Sequence, residues 1–237
     1  MTKTRWLLGI ALVVVVVALL FSYGRLTENT LVVDKQMLSE SGQSPNGAGY
    51  VIEIEYPLLV GGDEAGTRAA NQYITAAART EASSFIADLA EPGNEMVATS
   101  SLTGGYQLSQ ITPDRLSLEM NYLAELAGAA HPNNFTKTIN YDLARERTLE
   151  ITDIIGNSPA DLTRLAGFAK ADLIEQFNND DSLAEWIEEG TAPLPENYRK
   201  FTLTNDSLIL IFDPYVVAPY AAGVVRVTVP LSALDQV

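Results

Sequence analysis

Sixteen consecutive positions near the N-terminus, WLLGIALVVVVVALLF (6–21), carry no charge. Uncharged sequence continues to Gly24, and roughly 20 apolar residues of helix span a bilayer. Lys3 and Arg5 precede the run, so the excess of positive charge keeps the N-terminus in the cytoplasm and residues 25–237 outside it. Trp6 and Tyr23 stand where interfacial aromatics stand. The run reads as a single-pass signal anchor over residues 6–24, in contact with the lipid bilayer of the cell membrane. A cleaved signal peptide is the rival reading. Ser22 and Gly24 are small enough for a cleavage site, but no A-x-A follows, and the run is long for a signal h-region.

Beyond the anchor, 13 basic residues face 30 acidic ones, a net charge of −17. Phosphate recognition needs clustered Lys and Arg, so nucleic acid is not an expected partner. A cationic partner would be steered in at long range. With 47% hydrophobic residues the chain can bury a core, and with no cysteine it has neither disulfides nor thiolate metal sites.

Residues 25–49 contain a short apolar LVV and then SESGQSPNGAG, and read as a flexible linker. YVIEIEYP (50–57) alternates as a strand does. Residues 63–90 have helical spacing, with Ala70, Tyr73, Ile74, Ala77, Ala78, Phe85, Ile86 and Leu89 on one face. Strands follow at 96–109 and 115–124, joined by TPDR, and at 135–142. Ser158-Pro159-Ala160-Asp161 starts a second long helix running to Phe177, and Ser182 with Glu185 fits a capping box. FTLT, LILIFDPY and VVRVTVP are three more strands. The fold class is α+β: antiparallel sheets with a principal helix in each half, preceded by one N-terminal transmembrane helix. The segments are 1–24 (cytoplasmic stub and anchor), 25–49 (linker), 50–127 (N-terminal α+β subdomain) and 128–237 (C-terminal α+β subdomain).

Chemistry-bearing patterns are sparse. There is one histidine, His131, and no G-x-S-x-G, H-E-x-x-H, Walker or G-x-G-x-x-G motif, so no catalytic residue, metal ligand or cofactor is assigned. Asn178, Asp180, Ser182 and Glu189 have the spacing of a calcium loop, but Leu183 stands where that loop needs glycine. Asp142 and Asp213 each end an apolar strand, where aspartate commonly caps a turn.

DPYVVAPYAAG (213–223) is the most unusual stretch. Pro214 and Pro219 cannot donate to a sheet, so regular pairing stops there. Ala221, Ala222 and Gly223 permit close backbone approach. Tyr215 and Tyr220 add apolar faces with polar tips. Two readings follow, a packed corner between strands or a ligand-facing loop.

Residues 197–234, NYRKFTLTNDSLILIFDPYVVAPYAAGVVRVTVPLSAL, resemble the C-terminal signature of the RsiV-like family, a domain of unknown function. GAAHPN (128–133) is similar to that family's Gly-Gly-Ala-His loop, with Ala129 in place of the second glycine. The likeness extends over residues 50–237. In the family this domain forms the lysozyme-binding extracytoplasmic part of a membrane-anchored anti-sigma factor, and it precedes the catalytic module of a peptidoglycan deacetylase. Five residues before the membrane run are too few for sigma-factor work, and no deacetylase module is expected. What the resemblance implies is a binding module of the bacterial cell envelope whose ligand is a cationic, lysozyme-type muramidase or cell-wall glycan (peptidoglycan). His131, Pro132, Asn133, Tyr215, Pro219, Tyr220 and Gly223 would form the contact. The alternative is an envelope hydrolase using His131 and a nearby acid.

Overall fold

The computed structural model describes residues 30–90 and 98–234. The anchor read at residues 6–24 lies outside them. Among the described residues no helix is long and apolar enough to cross a membrane.

Strands β1 (Val32–Gln43) and β2 (Gly49–Val60) form a hairpin paired from Val32–Val60 to Gln43–Gly49. This corrects the linker reading for residues 32–43. Ser44-Pro45-Asn46-Gly47 supplies turn chemistry: Gly47 N donates to Ser44 O (2.8 Å) with Gly47 at φ 88°. β2 then partners a segment whose own composition is polar. Asn46 Nδ2 donates to Leu89 O (2.8 Å) and ties the turn to the end of helix α1.

Helix α1 (Glu64–Leu89) begins at Asp63, whose carboxylate accepts from Gly66 N at 2.8 Å. Ala70, Ile74, Ala78, Ala82, Phe85 and Leu89 are its buried stripe, while Tyr73 lies outside it. Gly66 is required by contact, since a Cβ there would sit 2.2 Å from Leu143 O. The helix carries the chain back to the end at which β2 began. Strand β3 (Ser100–Ile111) therefore pairs with β2 in parallel, an exception to the antiparallel expectation.

β4 (Arg115–Glu125), β5 (Asn133–Asp142) and β6 (Arg147–Thr148) complete a six-stranded sheet in the order β1-β2-β3-β4-β5-β6. The division expected at 127/128 is not a structural one. β4 and β5 pair directly across it, and Ile139, Tyr141 and Leu143 share a core with Ile52, Ile54, Leu116, Leu118 and α1. Burying each such side chain stabilises the fold by roughly 1.5–3 kcal/mol.

A second core gathers from Ile151 onward. It holds α2 (Ile151–Ile155), α3 (Pro159–Gln176), α4 (Ala184–Gly190), the antiparallel sheet β7 (Phe201–Leu203), β8 (Ser207–Phe212), β9 (Val225–Pro230) and the terminal turn α5 (Leu231–Leu234). α3 starts as its sequence predicts, with Ser158 Oγ accepting from Asp161 N (3.2 Å) and Asp161 accepting from Ser158 N (3.1 Å). The Ser182–Glu185 box is replaced. A 3-10 turn (Asp181–Leu183) winds first, and Asp180 caps it by accepting from Ser182 N at 2.9 Å.

The two sheets are joined by buried polar side chains. Leu203 N donates to Ser117 Oγ, Ser117 Oγ donates to Asn140 Oδ1, and Asn140 Nδ2 donates to Phe201 O, each at 2.7 Å. Short β7 is thereby hydrogen-bonded on both sides. Arg226 of β9 pairs with buried Glu119 of β4.

Candidate functional site

The docking of the sheets brings two sequence-distant loops together, 126–132 between β4 and β5 and 213–224 between β8 and β9. The second loop is anchored from below. Val217 and Ala218 are fully buried, and Tyr215 N donates to Ala218 O at 3.0 Å. Asp213 accepts from Thr136 N (3.2 Å) and pairs with Lys200, fixing the loop to β5. The stretch is thus a corner with a presented face, since Tyr215 stands 55% exposed directly beside its buried anchor.

Tyr215 adopts φ 70°, left-handed backbone that a side-chain-bearing residue rarely takes. Strain of this kind collects at functional surfaces. Pro219 then opens a 3-10 turn (Tyr220–Ala222) that Gly223 closes at φ 67°. Gly223 is needed for that conformation, and no neighbour lies close to where its Cβ would be, which corrects the close-approach reading.

The consequence is a row of rings. His131 lies on Tyr220 with centroids 4.3 Å apart, Tyr220 on Tyr215 at 5.7 Å, and Tyr215 against Trp186 at 6.4 Å. Tyr220 Oη donates to Pro132 O (2.8 Å) and accepts from Asn134 Nδ2 (3.3 Å), bolting one loop to the other. His131 Nδ1 lies 2.9 Å from the same carbonyl. Of the residues singled out from sequence, His131, Pro132, Tyr215 and Tyr220 meet in this row, and Gly223 shapes its turn. Asn133 and Pro219 are exposed at the rims and contribute no ring or side-chain hydrogen bond to it.

Trp186 was not legible as a member. It reaches the row because α4 packs on the corner at Gly190, where a Cβ would lie 2.4 Å from Val216 O. The one sequence signal was that it is one of two tryptophans, the other lying in the anchor.

Beside the row lies a cleft of about 360 Å³ lined by Asn121, Tyr122, Asn134, Phe135, Thr136 and Tyr220, among others. Tyr122 and Phe135, one register step from the Asn121–Thr136 pair, turn their rings to the other face of the sheet, where they stack at 5.0 Å against the core under α1. Burial, with a smaller contribution from Glu81, pushes the Tyr122 hydroxyl well above the ordinary tyrosine range, so it stays protonated. Asp142, at the end of β5, is a turn cap: it accepts from Arg145 N (2.9 Å) and Arg145 Nη1 (2.8 Å), which hold its carboxyl below the usual range. Among the described residues, no hydrogen bond joins His131 to a carboxylate, and no cluster of three or more His, Asp or Glu could hold a metal.

Residues 152–232 match the family described as protein of unknown function (DUF3298). Peptidoglycan-N-acetylmuramic acid deacetylase PdaC of Bacillus subtilis is 33% identical over 112 residues, 46% of this chain and 23% of PdaC. Immunogenic protein MPT64 of Mycobacterium tuberculosis is 27% identical over 135 residues, 57% of this chain and 58% of MPT64. An esterase of the same organism is 26% identical over 205 residues, 80% of this chain and 78% of the esterase. The chain thus spans less than two thirds of the length of PdaC and of MPT64. A DUF3298 family structure from Bacteroides fragilis shares the fold at TM-score 0.64 and 18% identity, over 88% of this chain and 94% of the other. Signature and matches agree with the RsiV-like resemblance, with the DUF3298 match confined to residues 152–232.

Proposed function

We propose that residues 25–237 are an extracytoplasmic binding module, held at the membrane by residues 6–24, that lays a neutral glycan of the cell envelope across the aromatic row. The observation that carries this reading is the row itself: four rings from three separate segments, with Tyr215 held in left-handed backbone at its exposed centre. Aromatic faces offer flat apolar area with polar edges, which suits the C–H faces and hydroxyls of sugars. The relative PdaC bears a peptidoglycan sugar in its name, which agrees with a wall ligand. A muramidase is the partner that the −17 charge would attract, yet the row and its cleft present no carboxylate of their own.

The test is calorimetric titration of the chain, in a non-glycosidic detergent, with an N-acetylglucosamine tetramer and separately with a basic lysozyme, at low and moderate salt. Saturable oligosaccharide binding that is indifferent to salt supports the reading. Lysozyme binding that persists at moderate salt, with none to oligosaccharide, would replace it with the muramidase reading. Lysozyme binding that fades with salt is general charge attraction.

The esterase likeness favours a second reading, hydrolysis with His131 as base. It requires turnover of a simple acyl ester that His131→Ala abolishes without changing the melting temperature. Equal background rates in both proteins would remove it.

A further inference from the structure

The cleft beside the row has a chemistry of its own. Every residue lining it is uncharged, in a protein of net charge −15, so it suits a neutral group. Its polar groups are side-chain amides from paired strands: Asn121 of β4 stands opposite Thr136 of β5, and Asn134 is two residues along the same face of β5. Asn121 Oδ1 is engaged by the Thr136 hydroxyl (3.4 Å), which leaves Asn121 Nδ2 as a free donor. Asn134 Nδ2 is engaged by Tyr220 Oη (3.3 Å), which leaves Asn134 Oδ1 as a free acceptor. One donor and one acceptor are what the C=O and N–H of a secondary amide require. The rest of the lining includes Pro214, Ala221 and Val224, apolar side chains that can take a methyl group. At about 360 Å³ the cleft lies at the small end of ligand sites and suits one sugar unit rather than a chain.

We propose that this cleft is a subsite for the acetamido group of an N-acetylated amino sugar, with Asn121 donating to the acetyl carbonyl and Asn134 accepting from the amide N–H. This deepens the glycan reading and rests on it: the row carries the chain, and the cleft selects the acetylated unit. A site built to hydrogen-bond a polar group discriminates strongly against an analogue lacking it, because its own groups are then left unpaired.

The test titrates the purified chain with two neutral tetramers, one of N-acetylglucosamine and one of glucose (the β-1,4 cello-oligomer). The acetylated tetramer should bind about tenfold more tightly, the equivalent of one to two neutral hydrogen bonds. Asn121→Ala and Asn134→Ala should bring its affinity down to that of the cello-oligomer. Far-UV circular dichroism and urea midpoints close to those of the parent chain show that both variants are folded, whereas Tyr215→Ala should weaken both ligands. Equal binding of the two tetramers, or Asn variants that keep the preference, overturns the subsite and leaves the row reading standing. Binding of neither tetramer overturns both.

Discussion

At Tyr215 the backbone and the exposed ring make demands of opposite sign, and a pair of substitutions separates them. Tyr215→Ala and Tyr215→Gly both delete the ring and its contacts with Trp186 and Tyr220. They differ in what the backbone bears at φ 70°. An L-residue in left-handed backbone costs roughly 1–2 kcal/mol. Glycine avoids that cost but gives back roughly 0.5–1 kcal/mol through the greater freedom of its unfolded chain. The glycine variant should therefore be the more stable by about 0.5–1 kcal/mol, the reverse of the usual order of these two residues. For a chain of this size, 1 kcal/mol moves the midpoint by roughly 2–4 °C, so the glycine variant should melt about 1–4 °C higher. Urea unfolding followed by far-UV circular dichroism measures the difference, with equal m-values as the control. Oligosaccharide affinity should fall in both variants alike. An alanine variant at least as stable as the glycine one would refute the strained corner.

Four further outcomes are expected. Tyr220→Phe keeps the ring but loses the bonds to Pro132 O and Asn134, so it should cost about 0.5–1.5 kcal/mol in urea unfolding while glycan affinity stays within about threefold. Asn140→Ala strands Phe201 O and Ser117 between the sheets and should cost about 2–4 kcal/mol by the same measurement. Two pH limits follow from shifted groups. Burial raises the Tyr122 and Tyr198 hydroxyls, so their contribution to stability is complete below about pH 10 and is lost as pH rises through the higher folded values, which alkaline melts of Tyr122→Phe should show as a shallower decline. Asp153, held at about 2 by Arg147, contributes stability that is complete above its unfolded value of about 3.9 and is lost as pH falls through 2. Asp153→Asn should flatten urea midpoints over that window.

Much of the fold was legible where the signal is local. The TPDR hairpin, the Ser158-Pro159 helix start and the β7–β8–β9 strands depend on residues within a few positions of one another. The misses depend on partners. β1 is polar and largely exposed, and its strand state comes from β2. The division at 127/128 failed because a loop rich in Gly, Ala and Pro can join two strands of one sheet as readily as two domains. Asp180 displaced Ser182 as the cap because a 3-10 turn precedes α4. The site divides in the same way. Prolines and left-handed glycine mark the two loops in sequence. The ring contacts among them, the entry of Trp186 and the amide pair of the cleft exist only once β7 docks on β4 and β5 and α4 closes on the corner.

The most direct measurement is fluorescence of Trp186 in a Trp6→Phe chain, where it is the sole tryptophan, during titration with the N-acetylglucosamine tetramer at low and moderate salt. The account predicts a saturable change in emission, the same at both salt concentrations and absent in Tyr215→Ala. Emission that does not respond to oligosaccharide, or responds only to a basic protein and only at low salt, would contradict the aromatic row as a glycan surface.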